Sequence, residues 1–416
     1  MVSSCSAQDT VSVLESRDFL ITAHESLFTS GLTNYYLPVS KLLLALLALA
    51  CLLSACTLPS GPAPANSGST PTPFAPLAAT YTASASPTPE ASSTPTITPT
   101  PAPLPASFAG SLRTDVLPVS YSADQCSYLA ARWNPDNSQP GTVVAPLMYH
   151  SILRGNAVPS LSQDINEVTF YAIVETARRL GFETITSQQL VDFLHNNAPI
   201  PPRSMLLILD DRRPGTAQEY FIPLYEQYGW GTTLGWIIGD TDSRTGEHSG
   251  ESLWAWIERL NDTGVFDVQS HGLNHIPVVG GLSTDFLRSE LGDNIPILEQ
   301  HFGQRPVAHI WAGGNFTADG VAMADALGYE IAFTVYSRGP IMFNWIPQGE
   351  QERAIGNPLL TLPRYWDSAA ELNLQQAADA GDAAQQFARE NYAAEAAWFS
   401  QNCGGELPAL DAVFDD

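Results

Sequence analysis

Basic residues are scarce in this chain. Its 416 residues carry 18 Lys and Arg against 43 Asp and Glu, a formal net charge of -25. Such a surface repels a phosphate backbone, which excludes nucleic acid as a partner. It does not repel a cationic polymer, although a solvated acidic face with no specific partner has the same composition. Charge is almost missing from residues 57–106, where Glu90 is the only charged residue among Pro, Ser, Thr, Ala and Gly. That stretch cannot bury enough apolar surface to fold, and its prolines should keep it extended as a disordered stalk. Long apolar runs are lacking too, with one exception at residues 41–56. Cysteine occurs only five times. With 44% hydrophobic residues the chain can still bury a sizeable core. The length allows two or three domains, but this uneven composition points to one folded domain with extensions.

The exception reads KLLLALLALACLLSAC. A Lys leads a Leu/Ala run too short to span comfortably as a mature helix, which is the layout of a secretory signal. Its ending, Leu53-Ser54-Ala55-Cys56, resembles the bacterial lipobox. The resemblance implies cleavage before Cys56, lipid on its thiol, and a membrane-anchored lipoprotein outside the cytoplasm, at the cell surface or in the periplasm. Residues 1–40 read as a mis-assigned gene start or a disordered extension; the alternative is a single uncleaved anchor helix. Cys5 and Cys51 fall in segments expected to be lost. That leaves Cys126 and Cys403, which in an oxidising compartment are expected to pair and tie the two flanks of the main domain together. Two unrelated buried thiols are the alternative.

Two adjacent carboxylates organise the rest. Met205-Leu-Leu-Ile-Leu-Asp210-Asp211 is a short apolar run bounded by Pro202 and by Pro214-Gly215. It reads as a buried strand of a mostly parallel sheet. Two like charges at such a strand end repel, and a cation or a proton normally resolves the conflict; otherwise one Asp caps the next helix and the other faces water. Further strands are expected at 142–149, 182–185, 232–238, 265–269, 307–311, 330–335 and 359–363. Helices are expected over 170–180, 187–194, 216–228, 251–263, 284–302, 317–327 and 368–400. The alternation predicts a parallel α/β barrel over residues 142–367, after an arm at 107–141 and before a helical tail at 368–416. Polar signals close four of its strands: Tyr149 and His150, Asp210 and Asp211, His271 and His275, and Gly313-Gly314 after Trp311. Barrels place their chemistry at those C-terminal ends.

His271 and His275 are spaced i, i+4, which on a helical turn puts both rings on one face and suits one metal ion. With an Asp from another strand they leave coordination positions open, as a catalytic zinc site does. Ile208-Leu-Asp-Asp-Arg212 and His271-Gly-Leu-Asn-His275, in this order, resemble the first two motifs of the polysaccharide deacetylases, the NodB-homology or carbohydrate esterase family 4 domain. Met148-Tyr149-His150 and Leu180-Gly181-Phe182-Glu-Thr-Ile resemble the subgroup of lipoprotein poly-N-acetylglucosamine deacetylases. The resemblance spans about residues 142–367. It implies a distorted (β/α)7 barrel and a divalent metal, zinc or similar, on Asp211, His271 and His275. It further implies Asp210 as general base and His150 as general acid. Gly313-Gly314 is then the candidate oxyanion donor, and Tyr149, Trp236, Trp311 and Trp366 are candidates to stack on a sugar, although strand aromatics also serve as core.

The chain departs from the family in three places. Arg212 stands where the family has glycine, so the backbone turns there without glycine's freedom and a cation lies beside the metal. Ile310-Trp311-Ala-Gly-Gly314 stands where Arg-Pro-Pro-Tyr is usual, so the arginine that orients the base is not evident. No Leu-x-x-x-His follows. His195, His301 and His309 read as structural, and His248 lies in a polar loop that could border the cleft. The expected activity is metal-dependent removal of acetyl groups from an acetylated polysaccharide. The alternative is a degenerate barrel that binds glycan without turnover. Oligomeric state is not readable from the sequence.

Overall fold

The computed structural model describes residues 103–104, 106–246 and 250–414. The signal-like segment with Cys56, residues 1–40, nearly all of the 57–106 stalk and His248 lie outside the described residues. No described helix is long and apolar enough to cross a membrane.

Seven strands make the continuous run of one parallel sheet: β1 (Val143–Tyr149), β2 (Arg203–Asp210), β3 (Thr232–Trp236), β4 (Phe266–Ser270), β5 (Ala308–Ile310), β6 (Ile331–Phe333) and β7 (Tyr365–Trp366); an eighth short strand, Glu183–Thr184, pairs with β2 off this run. Their spatial order is β6-β5-β4-β3-β2-β1-β7. The segment leading into β7 also bridges back to β6, with Leu362 opposite Phe333. Thr334 N–H donates to the Leu362 carbonyl at 2.9 Å and Leu362 N–H to that of Ala332 at 2.8 Å. The sheet thus curls into a distorted (β/α)7 barrel, the fold that the alternation and the resemblance implied.

Period-two burial sorts the side chains. Val144, Leu206, Ile208, Ala308, Ile310 and Phe333 fill the barrel interior. Ala145, Leu147, Met205, Leu207 and Leu209 face outward into a cluster with Phe170, Ile173, Leu374 and Ala377. The outer helices are α1 (Gln125–Arg132), α2 (Glu167–Leu180), α3 (Ser187–Asn196), α4 (Ile222–Tyr228), α5 (Leu253–Asn261), α6 (Thr284–Gly292), α7 (Asn294–Phe302), α8 (Ala318–Ala326) and α9 (Ala370–Cys403). Side-chain caps start most of them. Asn166 accepts from Thr169 N–H, and Thr186 with Gln189 makes a reciprocal capping box; such caps satisfy amides that the first turn leaves orphaned.

Three expectations need correction. The helix read over 284–302 breaks at Asp293 into α6 and α7. The strand read over 359–363 is a 3-10 turn, Pro358–Thr361, and the strand itself comes later. Proline favours a first helical position, and Pro363 has no N–H to give a ladder. The arm also carries a strand that was not expected: Leu117–Val119 pairs antiparallel with Ile346–Gln348. Arm and tail meet where α1 and α9 are joined by the Cys126–Cys403 disulfide, with Cα atoms 5.6 Å apart. Beside it the buried Trp133 indole donates to Glu395 at 2.7 Å.

Candidate metal and catalytic site

Strand parity delivers Asp210. It shares a face of β2 with Leu206 and Ile208, so its carboxylate stands in the barrel mouth, 2% exposed. Gly235 on β3 is its ladder neighbour. A Cβ on Gly235 would lie 3.3 Å from Asp210 Oδ1 and 2.7 Å from Ile310 Cδ1, so a bare backbone makes room for the carboxylate. His150 follows β1 and brings Nε2 to 3.9 Å from Asp210 Oδ2.

The chain turns sharply after the strand, at Asp211 rather than at Arg212. Asp211 has φ 68°, left-handed and strained for a residue with a side chain. Its Oδ1 lies 3.8 Å from His271 Nε2 and 3.7 Å from His275 Nε2. The ligand atoms of the three residues fall within 4.8 Å of one another. The His271 ring is buried, and its Nδ1 faces the Ile310 carbonyl at 2.8 Å. A carbonyl only accepts, so Nδ1 carries the proton and Nε2 presents a lone pair. That Nε2 is buried with no hydrogen-bond partner. Burial lowers the His271 pKa even though Asp210 and Asp211 pull it up, so the ring is neutral. An ionised carboxylate and the His271 lone pair thus converge with the His275 ring. A divalent cation fits this set, and two imidazoles with one carboxylate form the donor chemistry of an open zinc site. The His275 side chain, 39% exposed, opens the site to solvent.

The two histidines do not share a helical turn, as their spacing suggested. Residues 271–275 form an irregular turn, with Gly272 at φ 86° and His275 at φ 59°. The rings still meet, with centroids 4.6 Å apart.

An arginine that the third motif lacks is supplied by the residue just before β7. Arg364 is 1% exposed. Its Nη1 donates to both oxygens of Asp210, at 2.8 and 2.9 Å, and its Nε donates to the Thr334 carbonyl at 2.7 Å. Burial alone would raise the Asp210 pKa. The Arg364 guanidinium outweighs that and holds it below the usual carboxylate value. Sequence reasoning missed Arg364, yet a charged residue in the closing segment of a barrel was the available signal.

Arg212 does not crowd the metal ligands. Its guanidinium donates to the Gly239 carbonyl, with a longer contact to that of Ile237 at 3.4 Å. Arg213 is the cation beside the ligands. It donates to Asp211 Oδ2 at 3.1 Å and to the Ser151 hydroxyl, which leaves Asp211 Oδ1 for the histidines.

The expected substrate contacts fare differently. Tyr149 and Trp311 are buried in the core, and the Trp311 indole donates to the Leu360 carbonyl at 2.9 Å. Outward parity places Tyr149 against Phe170 and Phe221, so neither ring offers a face to a sugar. Trp236 is buried as well. Trp366, half-buried, stays near the rim. The Gly314 N–H is committed to the Trp311 carbonyl at 2.8 Å, and the Asn315 N–H to that of Ala312 at 3.2 Å. Of the two glycines, only Gly313 remains a candidate oxyanion donor. The other described histidines have structural surroundings: His301 stacks on Trp254 at 3.8 Å, His309 is buried against Ser270, and His195 lies 3.8 Å from Glu330.

The polysaccharide deacetylase family model matches residues 197–332, a stretch that runs from the end of α3 into β6. His150 and Arg364, on the strands that close the barrel, fall outside the match. Among solved structures, the chain is similar to a deacetylase, PplD, from Streptococcus pyogenes, at 20% identity and a TM-score of 0.46, covering 57% of this chain and 99% of that one. It is also similar to IcaB from Ammonifex degensii, at 17% identity and a TM-score of 0.44, covering 58% and 100%. A third is the BpsB deacetylase domain from Bordetella bronchiseptica, at 20% identity and a TM-score of 0.42, covering 56% and 97%. No curated protein matches the sequence.

Proposed function

We propose that this protein is a metal-dependent hydrolase that removes acetyl groups from an N-acetylated polysaccharide outside the cytoplasm. One observation carries the reading. A neutral, buried His271 Nε2 without a partner faces Asp211 and His275, beside an Asp210 that Arg364 keeps ionised.

The residues divide the chemistry. Asp211, His271 and His275 would hold the ion. A bound divalent cation, zinc by its donors, supplies Lewis-acid polarisation of the acetyl carbonyl and acidifies a water. Asp210 takes the proton from the attacking water, and Arg364 fixes the orientation of both its oxygens. The Gly313 N–H would donate to the developing oxyanion; one such donor is typically worth about 3 kcal/mol. Burial lowers the His150 pKa despite the two carboxylates, so His150 starts neutral. It receives its proton by way of Asp210, 3.9 Å away, and passes it to the leaving amine. Water and amide become acetate and amine, with the proton returned. Trp366 is the remaining aromatic for a sugar face. Placement at a membrane surface rests on residues 41–56 and lipidation of Cys56.

The binding-only alternative rested on Arg212 and on the missing arginine. The Arg212 contacts with main-chain carbonyls and the Arg364 pair with Asp210 support the enzyme over that alternative. The test is acetate release from N-acetylglucosamine oligomers, with and without chelator, with metal content measured in the same sample. Chelator-sensitive release with one metal per chain is expected. Bound metal with no release from any acetylated glycan would overturn the enzyme in favour of a glycan-binding protein.

A further inference from the structure

The loop that bears His271 and His275 has no regular structure to hold it. It is held by Glu290, from the helix after it. Glu290 lies on α6, is 2% exposed and is in no ion pair with a basic side chain among the described residues. Its carboxylate accepts from Asn274 N–H at 3.0 and 3.2 Å and from Ile276 N–H at 3.1 Å. These two amides flank His275. Its main-chain carbonyl accepts from Leu273 N–H at 2.9 Å. That carbonyl lies in the last turn of α6, which ends two residues later at Gly292, and it also accepts from the Asn294 side chain at 3.1 Å. The approach is close: a Cβ on Gly272 would lie 2.7 Å from Glu290 Oε1, so glycine is needed there.

From this geometry we propose that Glu290 is a positioning residue for the metal ligands. It preorganises the 271–276 loop, and so the left-handed backbone of His275, before any cation binds. The inference rests on the metal reading of the site. The chemistry is specific to a carboxylate. Oε1 accepts from both amides and Oε2 from Asn274 a second time, whereas an amide in its place offers one acceptor and turns its NH2 toward the Asn274 N–H, two donors facing each other. A strained ligand residue held by buried hydrogen bonds loses its preorganisation when they go, and outer-sphere partners of this kind typically change metal affinity by about 10–100-fold.

Two measurements test the proposal on the full chain. The first is the zinc dissociation constant of Glu290→Gln, by competition with a chromogenic chelator, with the folded fraction fixed by near-UV circular dichroism. About 10-fold or greater weakening in folded protein is expected. A variant of lowered unfolding midpoint whose folded form binds zinc like the wild type would reduce Glu290 to a structural role and overturn the proposal. The second is hydrogen exchange on zinc-free wild-type protein, which needs no variant to fold. The Asn274 and Ile276 amides should exchange slowly without zinc. Exchange as fast as in an open loop overturns the proposal. Slow exchange in a wild type that binds no zinc would support the brace and sink only the metal assignment.

Discussion

Arg364→Met removes the charge that keeps Asp210 ionised and leaves most of the volume. Both partners are nearly inaccessible, with side chains 0% and 3% exposed. Deleting one member of such a pair strands the other charge in a poor solvent. The cost is typically about 3–5 kcal/mol, whereas replacing both members by neutral groups is often close to neutral. Asp210→Asn and Arg364→Met should therefore each destabilise by about 3 kcal/mol or more, and the double variant should lose much less than the sum. The assay is urea unfolding followed by tryptophan fluorescence at pH 7 with the disulfide intact, arranged as a double-mutant cycle. The pH dependence has a definite sign. The folded Asp210 pKa lies below its ordinary 3.8, so the wild-type advantage is present above that pH and is lost as pH falls through the folded value. Acetate release should vanish in all three variants. Additive losses, or single losses under about 1 kcal/mol, would mean that the pair is not coupled as the geometry implies.

Other outcomes follow from the same structure. Asp367 is buried and its pKa is pushed up to about 7, by burial first and then by Asp164 and Asp210. A folded value above the unfolded one means stability falls as pH rises from about 4 to 7, so Asp367→Asn should gain on the wild type across that window, by at most about 4 kcal/mol at pH 8; a pH-independent difference would refute the burial argument. His271→Ala should abolish zinc retention through gel filtration, and an unchanged stoichiometry would move the metal elsewhere. Cys126→Ser with Cys403→Ser opens a cross-link between residues 277 apart, for which chain entropy sets a ceiling of about 5 kcal/mol. A lower unfolding midpoint with unchanged acetate release per folded molecule is expected, since the bridge lies among the arm and tail rather than on the catalytic rim.

The barrel was legible because apolar runs and helical stripes alternate, and the site because its ligands sit at the ends of strands whose parity can be counted. Asp210 points inward for the same reason that Leu206 and Ile208 do. What sequence could not supply was geometry across the barrel. Arg364 lies 154 residues from Asp210, and no local pattern joins them. The i, i+4 spacing of the histidines suggested a helix because a helix brings such rings together; an irregular turn braced from α6 does so too. Tyr149 and Trp311 were offered to the substrate because aromatics at strand ends can face either way, and here packing takes them. Arg212 looked like a competitor for the metal site until the main-chain carbonyls near the end of β3 could be seen to hold it.

The segment from Leu362 to Trp366 is the last piece of the barrel, bridging β6 on one side and pairing with β1 on the other. It also carries Arg364. A chain still being made holds Asp210 and the cluster of Asp211, His271 and His275 before it holds Arg364, the cation that pairs with Asp210. The reactive centre is therefore completed only when the barrel closes.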